Sequence, residues 1–161
     1  MIQNNSDEIW MHHALNLASQ AEEKGEVPVG AVVVLDEEII GEGSNSSIKT
    51  HDPTGHAEII ALRHAGQKIK NYRLLKATLF VTLEPCIMCA SAMIHARISR
   101  LVFGTHDKKT GAAGSLIALF DYPGINFSIK KTGNVLEQLC SDKISNFFRS
   151  CRTNKKIKTK K

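Results

Sequence analysis

Apolar and polar residues follow two different periods along the chain, and these predict helices and strands in alternation. Residues 7–23 carry an apolar stripe at helical spacing, closed by Gly25. The stripe consists of Trp10, Ala14, Leu17, Ala18 and Ala21. Residues 29–35 are continuously apolar and rich in valine, which is typical of a strand buried on both faces. Residues 38–45 follow a short acidic turn, so the two runs together predict a β-hairpin.

The remaining pattern continues this alternation. Helices are predicted over residues 54–69, 86–96 and 134–151, and strands over residues 77–83, 98–104 and 127–131. A short helical stretch at 115–120 separates the last two strands, and this crossover predicts that they run parallel. The pattern as a whole indicates an α/β fold whose sheet is covered by helices on both faces, with a hairpin at its first edge.

Length and composition fit one compact domain, since the chain has 161 residues, of which 42% are hydrophobic. No basic leader followed by an apolar segment is evident, and no run approaches the roughly 18 apolar residues that span a bilayer. We therefore expect a cytoplasmic protein without a membrane contact. Cys140 and Cys151 are widely separated, and Cys86 and Cys89 form a close pair, unlike the cysteines of a secreted disulfide scaffold.

The net charge of +5 is concentrated at the end of the chain. Five lysines lie in residues 153–161, so residues 1–152 balance at 16 basic and 16 acidic side chains. Residues 1–58 are strongly acidic, and residues 59–161 are strongly basic. We predict one domain over residues 1–152 and a disordered basic tail over residues 153–161, with any anionic polymer binding to the C-terminal half.

Cys86 and Cys89 are spaced i, i+3 at the start of a predicted helix, which places both thiols on one side. A helix amino end lowers the pKa of a thiol, so this arrangement suits either a metal site or dithiol redox chemistry. His56 changes the balance, because zinc takes imidazole and thiolate ligands and a catalytic site keeps its fourth position for water. Glu58 does not share a helix face with His56, so it is better placed as a general acid and base than as a ligand.

The segments "HDPTGHAE", "TLEPCIMCASAMIHARI" and "TGAAGSL" together resemble bacterial tRNA-specific adenosine deaminases of the zinc-dependent cytidine/deoxycytidylate deaminase superfamily. The pattern H-x-E followed by P-C-x-x-C is the signature of zinc-dependent nucleobase deaminases. The resemblance runs from about Ile9 to Arg152. It implies a three-layer α/β/α cytidine-deaminase-like fold, with a mixed five-stranded sheet whose last strand is parallel to its neighbour.

The resemblance also implies a reaction, the hydrolytic deamination of adenosine to inosine at the wobble position of tRNA. One Zn²⁺ per chain, held by His56, Cys86 and Cys89, activates a water that attacks C6 of a flipped-out adenine. Glu58 takes the proton of that water and delivers protons to the ring nitrogen and the departing ammonia.

The resemblance further implies contacts with the substrate and with a second subunit. Asn45 hydrogen-bonds the flipped nucleoside, and the backbone N–H of Ala57 contacts the base. Phe147, Phe148 and Arg149 contact the anticodon stem-loop from the end of the last helix. A homodimer is expected, in which each subunit borders the RNA site of the other.

Two segments depart from the family pattern, and three alternatives stay open. Thr105 and His106 stand where a small residue and an arginine are expected, and "DYPG" at 121–124 replaces a histidine-rich segment. A cytidine, cytosine or guanine deaminase would share the zinc core, although the last crossover and the basic C-terminal half argue against a free-nucleoside enzyme. A thiol oxidoreductase using Cys86 and Cys89 would need no Glu58, and an RNA-binding structural zinc module would need a fourth protein ligand.

Overall fold

A computed structural model describes residues 5–159, which form one sheet between two layers of helices. The helices are α1 (Asn5–Glu23), α2 (Ser47–Thr50), α3 (Ala57–Ile69), α4 (Ile87–His95) and α5 (Glu137–Lys158). The strands are β1 (Gly30–Leu35), β2 (Glu38–Ser44), β3 (Thr78–Leu83), β4 (Arg100–Thr105) and β5 (Lys130–Thr132). Within residues 5–159, no helix is both long enough and apolar enough to cross a membrane.

The sheet has the order β2-β1-β3-β4-β5. β1 pairs antiparallel with β2 and β3, while β3 with β4 and β4 with β5 are parallel pairs. The predicted hairpin and the predicted parallel last strand are therefore confirmed. The prediction of a helical stretch at 115–120 is wrong. The connection from β4 to β5 holds only a 3₁₀ turn at Leu119–Asp121 and otherwise folds as a loop.

β1 is buried on both faces, as its apolar run predicts. Ala31 and Val33 belong to the core cluster that includes α3 and α4, whereas Val32 and Val34 belong to the cluster beneath α1. Successive side chains of a strand point to opposite faces, so one continuous apolar run serves two cores. The three layers follow from this division.

Glycines in the hairpin let helices approach the sheet closely. A Cβ on Gly30 would lie 2.0 Å from the carbonyl oxygen of Ala14 in α1, and a Cβ on Gly43 would lie 2.1 Å from that of Ala57 in α3. Neither contact is sterically tolerable, so only glycine fits at these positions. The close approach of α3 to β2 holds the first turn of α3 beside the end of that strand.

α5 is longer than predicted. It extends past residue 151 to Lys158, and therefore through most of the segment expected to be a disordered tail. Residues 152–159 are exposed, and lysine and arginine are good helix formers that need no packing partner to continue a helix already started. Residues 160 and 161, and residues 1–4 at the other end, lie outside the described part. The domain limit at Arg152 stays a prediction.

Arg100 connects three elements of the fold. Its Nη1 and Nη2 donate to the two carboxylate oxygens of Asp7 in α1 at 2.8 and 2.7 Å, and Nη2 also donates to Thr132 Oγ1 in β5 at 3.0 Å. The Asp7 side chain is almost completely buried, at 8% exposed. A two-pronged pair of this kind fixes both distance and orientation, so it fastens α1 across β4 and β5.

Candidate active site

The amino ends of α3 and α4 meet at one edge of the sheet, beyond the ends of β2 and β3. His56 immediately precedes α3 with extended backbone (φ −82°, ψ 148°), and Cys86 immediately precedes α4 (φ −74°, ψ 174°). Cys89 lies in the first turn of α4 and is completely buried. Both helices thus direct the positive ends of their dipoles at the same point, where they stabilise negative charge.

The three side chains predicted to bind zinc come together. His56 Nδ1 lies 3.5 Å from Cys89 Sγ and 3.6 Å from Cys86 Sγ, and all three donor atoms lie within 4.8 Å of one another. In a tetrahedral zinc site, bond lengths of about 2.05 Å to nitrogen and about 2.3 Å to sulfur place the two ligand atoms about 3.6 Å apart. The donor set therefore fits zinc and leaves a fourth position for a non-protein ligand.

Hydrogen bonds among His56, Cys86 and Cys89 shift the pKa values of all three side chains. A hydrogen bond from the Cys89 thiol, aided by His56, lowers the pKa of Cys86 to about 4. The same hydrogen bond, together with burial, raises the pKa of Cys89, and the hydrogen bond to Cys86 raises the pKa of His56. Binding a divalent cation displaces such protons, because zinc takes thiolate and neutral imidazole.

Glu58 lies in the first turn of α3 and is buried beside these ligands. Burial raises its pKa to about 7, although its own backbone N–H and His56 act in the opposite direction. A general acid and base works best when its pKa is near the working pH. The group of side chains that could hold a metal ion consists of His56, Cys86 and Cys89 and does not include the Glu58 carboxyl group.

A cleft of about 840 Å³ opens above this centre. His56, Glu58 and Cys86 lie at its base, residues 105–110 form one side, and α5 contributes Phe148, Arg149 and Arg152. Its lining combines the rings of Phe148 and His106 with lysine and arginine side chains, and it also includes the acidic residues Glu58, Glu84 and Asp107. His56 and Cys86 therefore lie in a cleft that also offers aromatic rings and cationic side chains, the groups to which single-stranded nucleic acids bind.

Known proteins with similar sequences decide the family. A family model described as MafB19-like deaminase matches residues 5–152. The tRNA-specific adenosine deaminase of Haemophilus influenzae is 57% identical over 94% of this chain and 88% of its own length. That of Bacillus subtilis is 41% identical over 96% of both chains. This chain belongs to the tRNA-specific adenosine deaminase family.

Solved structures agree with this deaminase assignment. A structure from studies of A-to-I editing by tRNA deaminases at the wobble position is 40% identical, with a TM-score of 0.81 over 83% of this chain and 97% of that one. A guanine deaminase from Nitrosomonas europaea shares the fold, with a TM-score of 0.75 at 21% identity. Family membership favours the metal interpretation of Cys86 and Cys89 over a dithiol oxidoreductase.

The two predicted nucleoside contacts of this deaminase meet each other. The Ala57 backbone N–H donates to Asn45 Oδ1 at 2.8 Å, so this N–H is already paired within the protein. Asn45 also lines the cleft, at the end of β2. Asn45 is therefore placed to reach a ligand directly, whereas the Ala57 N–H holds the Asn45 side chain in position.

The predicted RNA contacts on α5 separate into two groups. Phe148, 43% exposed, and Arg149 line the cleft. Phe147 is half-buried and packs edge-on against Phe148, with ring centroids 5.4 Å apart and an interplanar angle of 73°. Phe147 thus supports the ring that faces the cleft. Arg152, one helical turn beyond Phe148 on the same face of α5, also lines the cleft, and the sequence prediction did not include it.

One of the two departures from the family pattern lies at the cleft, and the other is not part of its lining. Thr105 is buried as the last residue of β4, while the neighbouring His106 is partly exposed and lines the cleft. The His106 ring packs edge-on against Phe103, with centroids 5.0 Å apart. Asp121, in the other departing segment, forms an ion pair with Lys131.

Sequence reasoning also missed Glu84, a buried acid two residues before Cys86. Burial by itself raises the pKa of this carboxyl. Hydrogen bonds from Ser115 and from the backbone N–H groups of Asp107 and Ala113 lower the pKa by more than burial raises it, so the net shift is a decrease. The available signal was an acidic residue directly after a buried apolar strand, where a charge needs partners.

Proposed function

We propose that this chain is a zinc-dependent enzyme that converts adenosine to inosine at the wobble position of tRNA. The observation that carries the proposal is a buried glutamate beside a His/Cys/Cys donor set at the base of an RNA-suited cleft. Relatives that match nearly the whole chain at 41–57% identity are named tRNA-specific adenosine deaminases. Because tRNA is the proposed substrate, a cytoplasmic location is part of the same proposal.

His56, Cys86 and Cys89 are the proposed ligands of about one Zn²⁺ per chain, since their spacing fits a tetrahedral site. Bound zinc supplies a Lewis acid that makes water a nucleophile near neutral pH. The donors come from the amino ends of α3 and α4, and two of them, His56 and Cys86, line the cleft.

Glu58 is the proposed proton carrier. The overall reaction consumes one water and releases the adenine amino group as ammonia, so one proton of the water must move to the ring nitrogen and the other to the leaving nitrogen. A buried carboxyl whose pKa is raised to about 7 can accept and return a proton at neutral pH. Its position at the start of α3 keeps it within the same pocket as the ligands.

Asn45 is the proposed direct contact to the nucleoside. Its Oδ1 accepts from the Ala57 N–H, which turns the amide so that its NH₂ group is the part available to a ligand. Because its N–H is already hydrogen-bonded to Asn45, Ala57 is proposed to act on the substrate only indirectly, by orienting the Asn45 side chain. Ala57 directly follows His56 in the sequence, and Asn45 lines the same cleft as His56.

The anticodon stem-loop is the proposed RNA element. Phe148, with Phe147 behind it, offers a ring on which a splayed base can stack, and Arg149 offers a charge for a phosphate. On the opposite side of the cleft, Lys108 and Lys109 add two more cations. This distribution suits a single-stranded loop that enters between α5 and residues 105–110.

A homodimer is also proposed. Ile87, Leu116 and Tyr122 are 48–59% exposed, and Ile87 directly follows the proposed zinc ligand Cys86. Exposed large apolar side chains favour association with another protein, here a second copy whose edge would border the RNA cleft. Sedimentation equilibrium tests this proposal, and the expected mass is that of two chains.

The enzymatic proposal is tested by incubating the protein with an anticodon stem-loop that contains a wobble adenosine, and separately with cytidine and with guanine. Inosine and equimolar ammonia are expected from the stem-loop alone. The matched control is the same stem-loop with guanosine at the wobble position, which should release no ammonia. Turnover of cytidine or guanine without turnover of the stem-loop would contradict the proposal.

A further inference from the structure

The buried carboxylate of Glu84 is surrounded by one loop of the cleft. Oε2 accepts from the Asp107 backbone N–H at 2.9 Å and from the Ser115 hydroxyl. Oε1 accepts from the backbone N–H groups of Ala113 at 3.0 Å and Ser115 at 3.1 Å. The Glu84 side chain is 0% exposed, so these loop groups replace water around a full negative charge.

The loop also packs directly on this carboxyl group. A Cβ on Gly111 would lie 2.4 Å from Glu84 Cδ and 2.4 Å from the Asp107 carbonyl oxygen. Gly111 further donates its N–H to that carbonyl at 2.8 Å and forms an isolated β-bridge with Cys86. Residues 107–115, called the Glu84 loop here, are therefore held by this side chain together with the burial of Ala112 and Ala113 in the main core.

Residues 105–110 form one side of the cleft. They comprise the first part of the Glu84 loop and the two residues before it. We propose that Glu84 is a positioning residue that fixes this side of the cleft for the RNA substrate. The proposal rests on the proposed function, because it assigns the loop to the binding of the same RNA. Glu84 is not one of the proposed zinc donors, and its carboxylate is taken up by the loop.

The effect of Glu84→Gln follows from the donors around the carboxylate. A carboxamide has one acceptor oxygen, whereas both carboxylate oxygens of Glu84 face N–H groups. The better orientation keeps oxygen toward Ala113 and Ser115 and turns NH₂ toward the Asp107 N–H. The Asp107 end of the loop, next to the cleft-lining lysines, should therefore be released first.

The test compares Glu84→Gln with Asp7→Asn, which neutralises another buried, hydrogen-bonded carboxylate on the far side of the sheet. Backbone amide exchange, zinc content, and KM and kcat for the wobble-adenosine stem-loop are measured on each zinc-loaded protein. In Glu84→Gln, exchange at Asp107 should accelerate at least about tenfold and KM should rise about tenfold, with a smaller change in kcat and unchanged zinc. In Asp7→Asn, exchange at Asp107 and KM should match the wild type.

Gly111→Ala provides an independent variant, because its methyl group would displace the loop while the carboxylate stays charged. It should reproduce the increase in KM, and it keeps the test decisive if Glu84→Gln does not fold. Unchanged exchange at Asp107 in the folded variants, a loosened loop with unchanged KM, or loss of zinc from Glu84→Gln would each overturn the proposal. A wild-type protein that makes no inosine would refute the proposed function, while the exchange data would still decide whether Glu84 holds the loop.

Discussion

Asn45 Oδ1 accepts a hydrogen bond from the Ala57 backbone N–H at 2.8 Å, and this bond joins the end of β2 to the first turn of α3. The bond satisfies one of the N–H groups that a helix start leaves without an intrahelical partner. It also sets the orientation of the Asn45 amide inside the cleft, beside the proposed ligand His56. A structural bond and a proposed substrate contact thus share one side chain.

Substitutions of Asn45 should separate its structural hydrogen bond from its proposed contact with the substrate. Asn45→Asp keeps an oxygen for the Ala57 N–H but removes the NH₂ donor, so KM for the stem-loop should rise about tenfold with little change in thermal stability. Asn45→Ala removes both groups and should lower stability as well. Steady-state kinetics and thermal unfolding of the two variants provide the measurement. An Asn45→Asp enzyme with wild-type KM would limit Asn45 to holding α3.

Cys86→Ser and Cys89→Ser should each lose zinc and activity together, because removing one of three protein ligands collapses the site. Metal analysis of purified protein should find about one Zn²⁺ per chain in the wild type and far less in either variant. Cys140→Ser is the matched control, since this buried cysteine lies outside the metal-binding cluster. Full zinc retention in both site variants would refute the ligand assignment.

Glu58→Gln should separate chemistry from architecture. The variant should keep zinc and stem-loop binding, and kcat should fall by ~10² to 10⁴ because a positioned acid and base is removed. Single-turnover measurement of inosine, with zinc content determined on the same sample, checks this expectation. Substantial turnover by a zinc-loaded Glu58→Gln protein would mean that another group carries the proton.

The pair between Asp7 and Arg100 should matter for stability and not for chemistry. Arg100→Leu leaves the buried Asp7 carboxylate without its partner, which should lower the free energy of unfolding by about 3 kcal/mol or more. Thermal unfolding of the zinc-loaded proteins measures the decrease. Below the unfolding transition, KM and kcat should equal those of the wild type, because the pair lies outside the cleft. An unchanged melting temperature would show that the pair is energetically neutral.

Deleting residues 153–161 should weaken RNA binding about equally for a cognate and a scrambled stem-loop. The deletion removes five lysines on and beyond the exposed end of α5, and lysines that contact phosphates do not read bases. The salt dependence should flatten by roughly one unit of slope for each phosphate that the shortened protein no longer neutralises. Titrations at several salt concentrations measure both effects. Reduced discrimination at constant slope would instead make the end of α5 part of the recognition surface, and the domain limit at Arg152 would be wrong.

The sequence by itself determined the features that depend on local spacing. The apolar run of β1 predicted burial on both faces, and the hairpin with β2 followed from the short turn between the two runs. The proposed donors His56, Cys86 and Cys89 could also be identified, because each stands at a helix start that the pattern indicates and the residue types limit the metal. The tertiary structure then placed these donors together at zinc-like distances.

Only the tertiary structure decided features that depend on contacts between distant segments. A short helical stretch was predicted at 115–120 in the connection from β4 to β5, but the connection folds as a loop whose backbone groups donate to Glu84, more than 20 residues earlier in the chain. The pairing of Asn45 with Ala57 and the close approach of α3 to Gly43 depend in the same way on how β2 and α3 pack. Local period and propensity report what one segment favours by itself. The role of a buried charge such as Glu84, or of a glycine such as Gly43, depends on the atoms that folding brings into contact with it.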